Sequence, residues 1–433
     1  MARSLWGGCV AAWMGGLAVA AGAGAGSTTS LNLASALAET KAKLQSEQVA
    51  NIMVIGDSLS LRDGSYLPYF EQLMKSRYGD AGAGYQAYSF WTGGGFDLGW
   101  TFGFVNADTP PHYGLDGMWA SSSSAPWPPN HTGGFLNARS STVQVHYVAK
   151  PGGGSFRVDP VNVGTVATLN CDSPVNEVRT FEFTFNGTFP RLWFQPLGDG
   201  QIVILGQNNI IQGAPGVRIQ RAANGGWGVG NFLQRNWTFD QQVGLVEPDL
   251  IMIWLGQNDG ALYNRTTYAI ALNNLINRLN ASAPDAEVVL IGTYNSGVPE
   301  LANLVGAMED VATARGIGFI SMYEAAGDYQ FFISNSYLDD GVHFTHAGGK
   351  YLGRVLFNAF ESDGKTLNLP PTPHCPADTN LDNRVDGADL SVLLTQFGNT
   401  ALPAFTGADF NGDRRVDGAD LSILLSTWGC QGP

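Results

Sequence analysis

Four short apolar runs dominate the pattern of this chain: Ile52 to Ile55, Leu250 to Leu255, Glu287 to Ile291 and Ile317 to Ser321. Each reads as a buried strand, and helical periodicity separates the last three. Such alternation favours a parallel sheet, because consecutive parallel strands need a crossover long enough to hold a helix. Helices are expected over Leu31 to Gln48, Leu67 to Tyr78, Asn231 to Val246, Thr267 to Leu279 and Pro299 to Arg315. In the second of these, Leu67, Phe70, Leu73 and Met74 share one face. Open α/β sheets bind their ligands beyond the carboxyl ends of the strands, so reactive residues are sought there.

The first run breaks at Gly56-Asp57-Ser58-Leu59-Ser60, just before a helix. A strand, a tight turn and a helix are what an exposed catalytic serine needs, which makes Ser58 a candidate nucleophile. Its hydroxyl requires a base, a group that orients the base, and donors aimed at the developing oxyanion. His343 is the candidate base, lying in Asp339-Asp340-Gly341-Val342-His343-Phe344-Thr345, a string expected to open a helix running to about Phe360. Asp340, three residues earlier, can hold the other ring nitrogen and stabilise the imidazolium. Asn258, in Gly256-Gln257-Asn258-Asp259 after an apolar strand, can donate to the oxyanion. Plainer alternatives are a surface histidine for His343 and a structural turn for Asn258.

Between these motifs the pattern changes. From Tyr85 to about Asn130 the chain is rich in Gly, Ser, Pro and aromatics, including Trp91, Trp100, Trp119 and Trp127, which are either sugar-stacking platforms or packed against strands. From Ser141 to Ala222 short β-rich segments are punctuated by Gly, Pro and Asn, a pattern expected of a β-sandwich inserted into the α/β scaffold. Leu369-Pro370-Pro371-Thr372-Pro373 reads as a stiff linker. The expected division is a signal peptide at 1–25, a first scaffold part at 31–90, the insertion at 91–222, a second scaffold part at 223–365, the linker at 366–374 and a C-terminal unit at 375–431.

That last unit contains a repeat of period 31, beginning at Asp378 and again at Asp409. Oxygen-bearing side chains fall at loop positions one, three, five, nine and twelve: Asp378, Asn380, Asp382, Asp386 and Asp389, then Asp409, Asn411, Asp413, Asp417 and Asp420. Arg384 and Arg415, at position seven, would offer backbone carbonyls. Calcium takes several hard oxygens from a looped backbone, so two structural calcium ions are expected, coupled to folding. A helix after each loop, marked by Leu390 to Leu394 and Leu421 to Leu425, would pack against the other.

Composition narrows the class. Hydrophobic residues make up 44% and charged residues 14%, which excludes a disordered chain, and the net charge of -14 would repel a nucleic acid. Arg3, an apolar stretch from Leu5 to Ala21 and small residues at Ala18-Val19-Ala20 or Ala23-Gly24-Ala25 read as a secretory signal peptide; no later stretch is expected to span a membrane. Secretion permits disulfides. Cys375 and Cys430 bracket the C-terminal unit and can pair, leaving Cys171 as a buried small residue.

Taken together, Ser58 in Gly-Asp-Ser-Leu-Ser, Asn258 in Gly-Gln-Asn-Asp and the Asp340-Gly-Val-His343 pair resemble blocks one, three and five of the SGNH (GDSL-type) hydrolases, in that family's order. The resemblance implies a flavodoxin-like three-layer α/β fold and ester hydrolysis by Ser58, His343 and Asp340, with no cofactor for catalysis. It also implies an oxyanion hole from the Ser58 backbone N–H, a block-two glycine and Asn258. Val217 to Gln220 would be the second strand and Gly225 the block-two glycine, with Gly226 and the Gly93-Gly94-Gly95 run as alternatives. The inserted β-domain, with Arg77 to Tyr85, resembles the branch that removes O-acetyl groups from peptidoglycan or other polysaccharides. The tail resembles a small all-α dockerin, which implies a cohesin-like scaffold partner. Asn383 and Arg414 stand where a turn glycine is usual, and Gly387-Ala388 and Gly418-Ala419 where cohesin-contacting polar residues often lie. A secreted esterase acting on a carbohydrate ester is therefore expected. A lipase or acyltransferase with the same triad, or a non-catalytic carbohydrate-binding protein, are the alternatives.

Overall fold

The computed structural model describes residues 30–61, 64–88, 100–104, 106–122, 140–160, 163–185, 192–361, 377–379, 384–398, 408, 410 and 415–431. The expected signal peptide and linker, Trp91, Trp127, Gly93 to Gly95, Cys375, Asn380, Asp382, Asp409, Asn411 and Asp413 lie outside the described residues.

A six-stranded sheet organises the α/β part, with spatial order Ser30–Leu31, Gly318–Ser321, Glu287–Gly292, Leu250–Trp254, Val49–Gly56 and Gly216–Ala223. Every neighbouring pair is parallel except the two-residue edge strand Ser30–Leu31. Strand residues alternate between two cores. Met53, Ile55, Ile251 and Ile253 face one cluster, while Ile52, Val54, Met252 and Trp254 face the other. Burial on both faces explains why these strands read as continuous apolar runs rather than alternating ones. Helices Trp237–Val246, Arg265–Ser282 and Glu300–Arg315 cover the first face; Leu67–Tyr78 and His346–Glu361 cover the second. The result is a three-layer α/β arrangement.

Several boundaries differ from expectation. The strand Gly216–Ala223 pairs in parallel with Val49–Gly56 along its whole length, so an insertion ending at 222 cuts off too much; its apolar residues Val217, Ile219 and Ala222 complete the scaffold's cores. Conversely, Gly84–Ala87, assigned to the first scaffold part, pairs antiparallel with Ile202–Ile210. The helix expected over Asn231 to Val246 is two, Val229–Leu233 and Trp237–Val246, because Asn236 caps the second by accepting the Thr238 N–H. Leu31 to Gln48 likewise splits into Leu33–Ala36 and Ala38–Gln45.

The β-rich segment forms two antiparallel sheets. One holds Trp100–Gly103, Trp119–Ser122, Ile202–Ile210, Thr142–Ala149 and Glu177–Thr184, with Gly84–Ala87 also on Ile202–Ile210; the other holds Leu192–Pro196, Ser155–Pro160 and Ala167–Asn170. Val143, Val145, Phe156, Val158, Phe194, Ile202 and Ile204 share one buried cluster contributed by both sheets. Trp100 belongs to that cluster and Trp119 to a neighbouring one, so both pack rather than present a platform. Cys171 is buried and unpaired, as a small core residue, and Cys430 is disulfide-bonded.

The C-terminal repeats fold alike. Asp389 accepts the N–H groups of Thr379 and Asp386, and Asp420 accepts those of Phe410 and Asp417, each set one period apart. Asp386 and Asp417 cap the helices Gly387–Gln396 and Gly418–Ser426. The first repeat leans on the scaffold: Arg354 donates to Asp378 Oδ2 at 3.2 Å, Lys350 to the Asp378 carbonyl and Gln72 to the Thr379 carbonyl.

Candidate active site

The strand Val49–Gly56 delivers Ser58 to the start of the short helix Ser58–Leu61. The turn is held from inside: Asp57 Oδ1 accepts the Leu59 N–H at 2.8 Å, and the Asp57 carbonyl accepts the Ser60 N–H at 3.1 Å. Ser58 itself stays partly exposed.

Ser58 Oγ lies 2.9 Å from His343 Nε2, although the residues are 285 positions apart in sequence. His343 Nδ1 lies 2.8 Å from Asp340 Oδ2 and 3.0 Å from Oδ1. An ionised carboxylate only accepts, so Nδ1 carries the proton and donates to Asp340, which leaves Nε2 to accept from the Ser58 hydroxyl. Asp340 Oδ1 also accepts the His343 backbone N–H at 2.8 Å, fixing the aspartate on the turn that it orients. These two residues do not lie on the helix expected to begin there. They occupy a preceding turn, closed by Asp339 N–H to the His343 carbonyl at 2.8 Å and by Tyr294 Oη donating to the Val342 carbonyl; the helix starts only at His346, because Gly341, at φ 86°, is left-handed.

The expected oxyanion residues end neighbouring strands. Ala223 is paired with Gly56, and Asn224 N–H donates to the Gly56 carbonyl at 3.3 Å, so Gly225 follows beside the serine turn. Gly225 is buried, whereas Gly226 is exposed with φ 73°. Trp254 is paired with Gly56 on the other side, and Asn258 follows it. Asn258 Nδ2 donates to the Trp227 carbonyl at 2.9 Å, and its amide has a second N–H to give.

Two further acids frame this edge. Asp57 and Asp259 are fully buried; Asp259 Oδ1 accepts the Val229 N–H at 3.0 Å. Among the described residues Asp57 Oδ2 is buried without a hydrogen-bond partner, while Tyr268 stands beside the Asp259 carboxylate. Burial, reinforced by the charge of Asp259, pushes the Asp57 carboxyl up to about 7, and burial pushes Asp259 up to about 6. The signal for both was in the sequence, as the acids of Gly-Asp-Ser and Gln-Asn-Asp, but nothing there showed their burial.

Sequence reasoning also missed a second group along the turn that follows Gly216–Ala223. The Arg235 guanidinium, its side chain fully buried, stacks 4.3 Å from the Trp227 ring centroid and pairs with Asp108. Asp108 also holds His112 Nδ1 at 2.7 Å. Local pattern could not reveal this, since Asp108 lies between the strands Trp100–Gly103 and Trp119–Ser122 and Arg235 lies between the helices Val229–Leu233 and Trp237–Val246, 127 positions apart in sequence.

Among the described residues no group of three or more His, Cys, Asp or Glu is arranged to hold a metal. Of the twelve residues expected around calcium, Asp378, Arg384, Asp386, Asp389, Arg415, Asp417 and Asp420 are described, and Asp378, Asp389 and Asp420 are buried.

Residues 193–351 match the GDSL-like Lipase/Acylhydrolase family. A GDSL-type hydrolase domain is thereby supported. The matched span contains Gly225, Asn258, Asp340 and His343 and begins after Ser58. Among solved structures, a peptidoglycan O-acetylesterase is similar with a TM-score of 0.61 at 17% identity, covering 77% of this chain and 96% of that one, which is a likeness of fold. A family two carbohydrate esterase from Cellvibrio japonicus gives a TM-score of 0.28 at 14% identity, over 65% of this chain and 97% of that one, which establishes no shared overall fold. No curated protein matches the sequence.

The buried acids predict a pH dependence of stability. Between the unfolded value of 3.8 and about 7, folded Asp57 keeps a proton that the unfolded chain releases. Its contribution is therefore complete at low pH and is lost as pH rises to about 7. Asp57→Asn should flatten the fall in melting temperature across that window; a variant profile parallel to that of the wild type would contradict the assignment.

Proposed function

We propose that the protein is a secreted serine esterase that removes acetyl or other short acyl groups from a carbohydrate, with Ser58 as nucleophile, His343 as base and Asp340 as its orienting partner. The observation behind this reading is the continuous chain of hydrogen bonds from Ser58 Oγ through His343 to Asp340. The GDSL-type family match supports acyl hydrolysis, and the fold likeness to a peptidoglycan O-acetylesterase supports a carbohydrate ester as substrate.

In the first half-reaction Ser58 Oγ attacks the ester carbonyl carbon while its proton passes to His343 Nε2. The carbonyl oxygen becomes an oxyanion, taken up by the backbone N–H groups of Ser58 and Gly225 and by Asn258 Nδ2. Asp340 stabilises the imidazolium, which then gives its proton to the departing sugar hydroxyl as the C–O bond breaks. Water, giving its proton to the same Nε2, attacks the acyl-Ser58 ester; as the acyl–Oγ bond breaks the imidazolium returns that proton to Ser58 Oγ and the carboxylic acid leaves.

The tail is proposed as a dockerin-like module that holds two calcium ions, through Asp378, Asn380, Asp382, Arg384, Asp386 and Asp389 and through Asp409, Asn411, Asp413, Arg415, Asp417 and Asp420. Its donor set is made of hard oxygens, as calcium requires, and the described parts of the two loops repeat the same hydrogen bonds. A cohesin-like partner is consistent with Leu394, Phe397, Leu425 and Trp428 standing exposed in the C-terminal unit. The signal-like N-terminus supports export, where a Cys375–Cys430 disulfide can form.

Release of acid from 4-nitrophenyl acetate tests the nucleophile: Ser58→Ala or His343→Ala should lower kcat by about 10³-fold or more, and rates equal to wild type would refute the triad. For the tail, a chelator should lower the melting temperature and added calcium restore it. A melting curve indifferent to both would rule out metal-coupled folding.

A further inference from the structure

Residues 104 to 118 join the strands Trp100–Gly103 and Trp119–Ser122, and their described part crosses from the antiparallel sheet to the edge of the parallel one. One buried side chain fastens the crossing. Asn224 Oδ1 accepts the Asn106 N–H at 2.8 Å, and Asn224 Nδ2 donates to the carbonyls of Asp116 at 2.8 Å and Phe104 at 3.3 Å. The Asp108 carboxylate is already committed to Arg235 and His112, and the Ala107 carbonyl to Trp227 Nε1 at 3.3 Å. The strap is thus held on both sides of Asn106.

Asn106 itself is exposed and has φ 62°, a left-handed backbone that costs most side chains of order 1 kcal/mol and that asparagine tolerates best. Its Oδ1 rests against Gly225; a Cβ at that glycine would collide with it. The proposed oxyanion glycine is therefore walled by a carboxamide supplied by the β-rich segment. Phe104, two residues away and 43% exposed, adds an aromatic ring to the same strap.

We propose that Asn106, with Phe104, forms a subsite for the glycosyl unit that bears the ester. This deepens the esterase reading and rests on it. A carboxamide offers a donor and an acceptor in one plane, which suits neighbouring hydroxyls or an acetamido group of a sugar. An exposed ring suits the C–H face of a pyranose. The nearby Asp108 carboxylate and Arg235 guanidinium are spent on one another, so this ion pair leaves no net charge on the wall to select an anion. A long acyl chain placed here would leave the amide without a partner, a loss that polar sites use to reject apolar analogues.

The test is selectivity, the kcat/KM for a sugar ester divided by that for 4-nitrophenyl acetate, measured on acetylated xylan, acetylated chito-oligosaccharides and O-acetylated peptidoglycan. Asn106→Gly keeps the left-handed backbone and the N–H to Asn224 while deleting the carboxamide. For the sugar ester that the wild type turns over best, this ratio should fall about tenfold, through a raised KM. Phe104→Ala should lower the same ratio and serves if Asn106→Gly fails to fold. Ratios within twofold of wild type in the folded variants would overturn the subsite. So would a wild type that hydrolyses 4-nitrophenyl acetate yet releases acetate from no sugar ester, an outcome that leaves the esterase reading standing. A wild type inert toward every ester removes both.

Discussion

Everything at the candidate site depends on the parallel pairing of the strand Val49–Gly56 with both of its neighbours. Gly56 is paired with Ala223 on one side and with Trp254 on the other, so three strand ends stop at one level. Ser58, Gly225 and Asn258 each follow one of those ends within a few residues. A slip of one residue in either pairing would turn every side chain of that strand to the opposite face. The two apolar cores oppose such a slip, because alternate residues of these strands are buried in different clusters.

The histidine arrives by another route, through packing between loop and helix. Gly64, at φ 81°, brings the segment after the serine helix against the Phe344 carbonyl, and Gly349, in the helix His346–Glu361, is so close to the Gly64 carbonyl that a Cβ would collide. Serine turn and histidine turn are therefore joined backbone to backbone, with Tyr294 packed on Phe344 at 4.7 Å from below. Rigid backing of this sort matters because a misplacement of about 1 Å in a catalytic group can cost about 100-fold in rate. Beneath it lie Asp57 and Asp259, uncharged at low pH and free of any need for a counter-ion there.

Much of this was legible in the sequence because it rests on local pattern. Apolar runs announced the parallel strands, Gly-Asp-Ser the turn, and a duplicated acidic spacing the two alike repeats of the tail. The misjudged features all depend on contacts distant in sequence. The expected end of the insertion at 222 runs past the strand expected over Val217 to Gln220; all of Gly216–Ala223 pairs with Val49–Gly56, and Val217 and Ile219 share a core with Ile52, Val54 and Leu356. Asn106 lies in a Gly, Pro and aromatic-rich stretch without periodicity, and only the fold places it against Gly225. The helix boundary at His346 was missed because Gly341 and the Asp340 hydrogen bonds form a separate turn that hydrophobic periodicity does not register.

The central claim is that Ser58 is made reactive by His343. Labelling with a fluorophosphonate, followed by peptide mass mapping, tests it most directly, since such a reagent reacts with an activated serine in a single step. One phosphonyl adduct on Ser58 is predicted, with labelling slowed at least about 100-fold in His343→Ala, within the range over which a general base accelerates such steps. Labelling elsewhere, or at an undiminished rate without His343, would contradict the account.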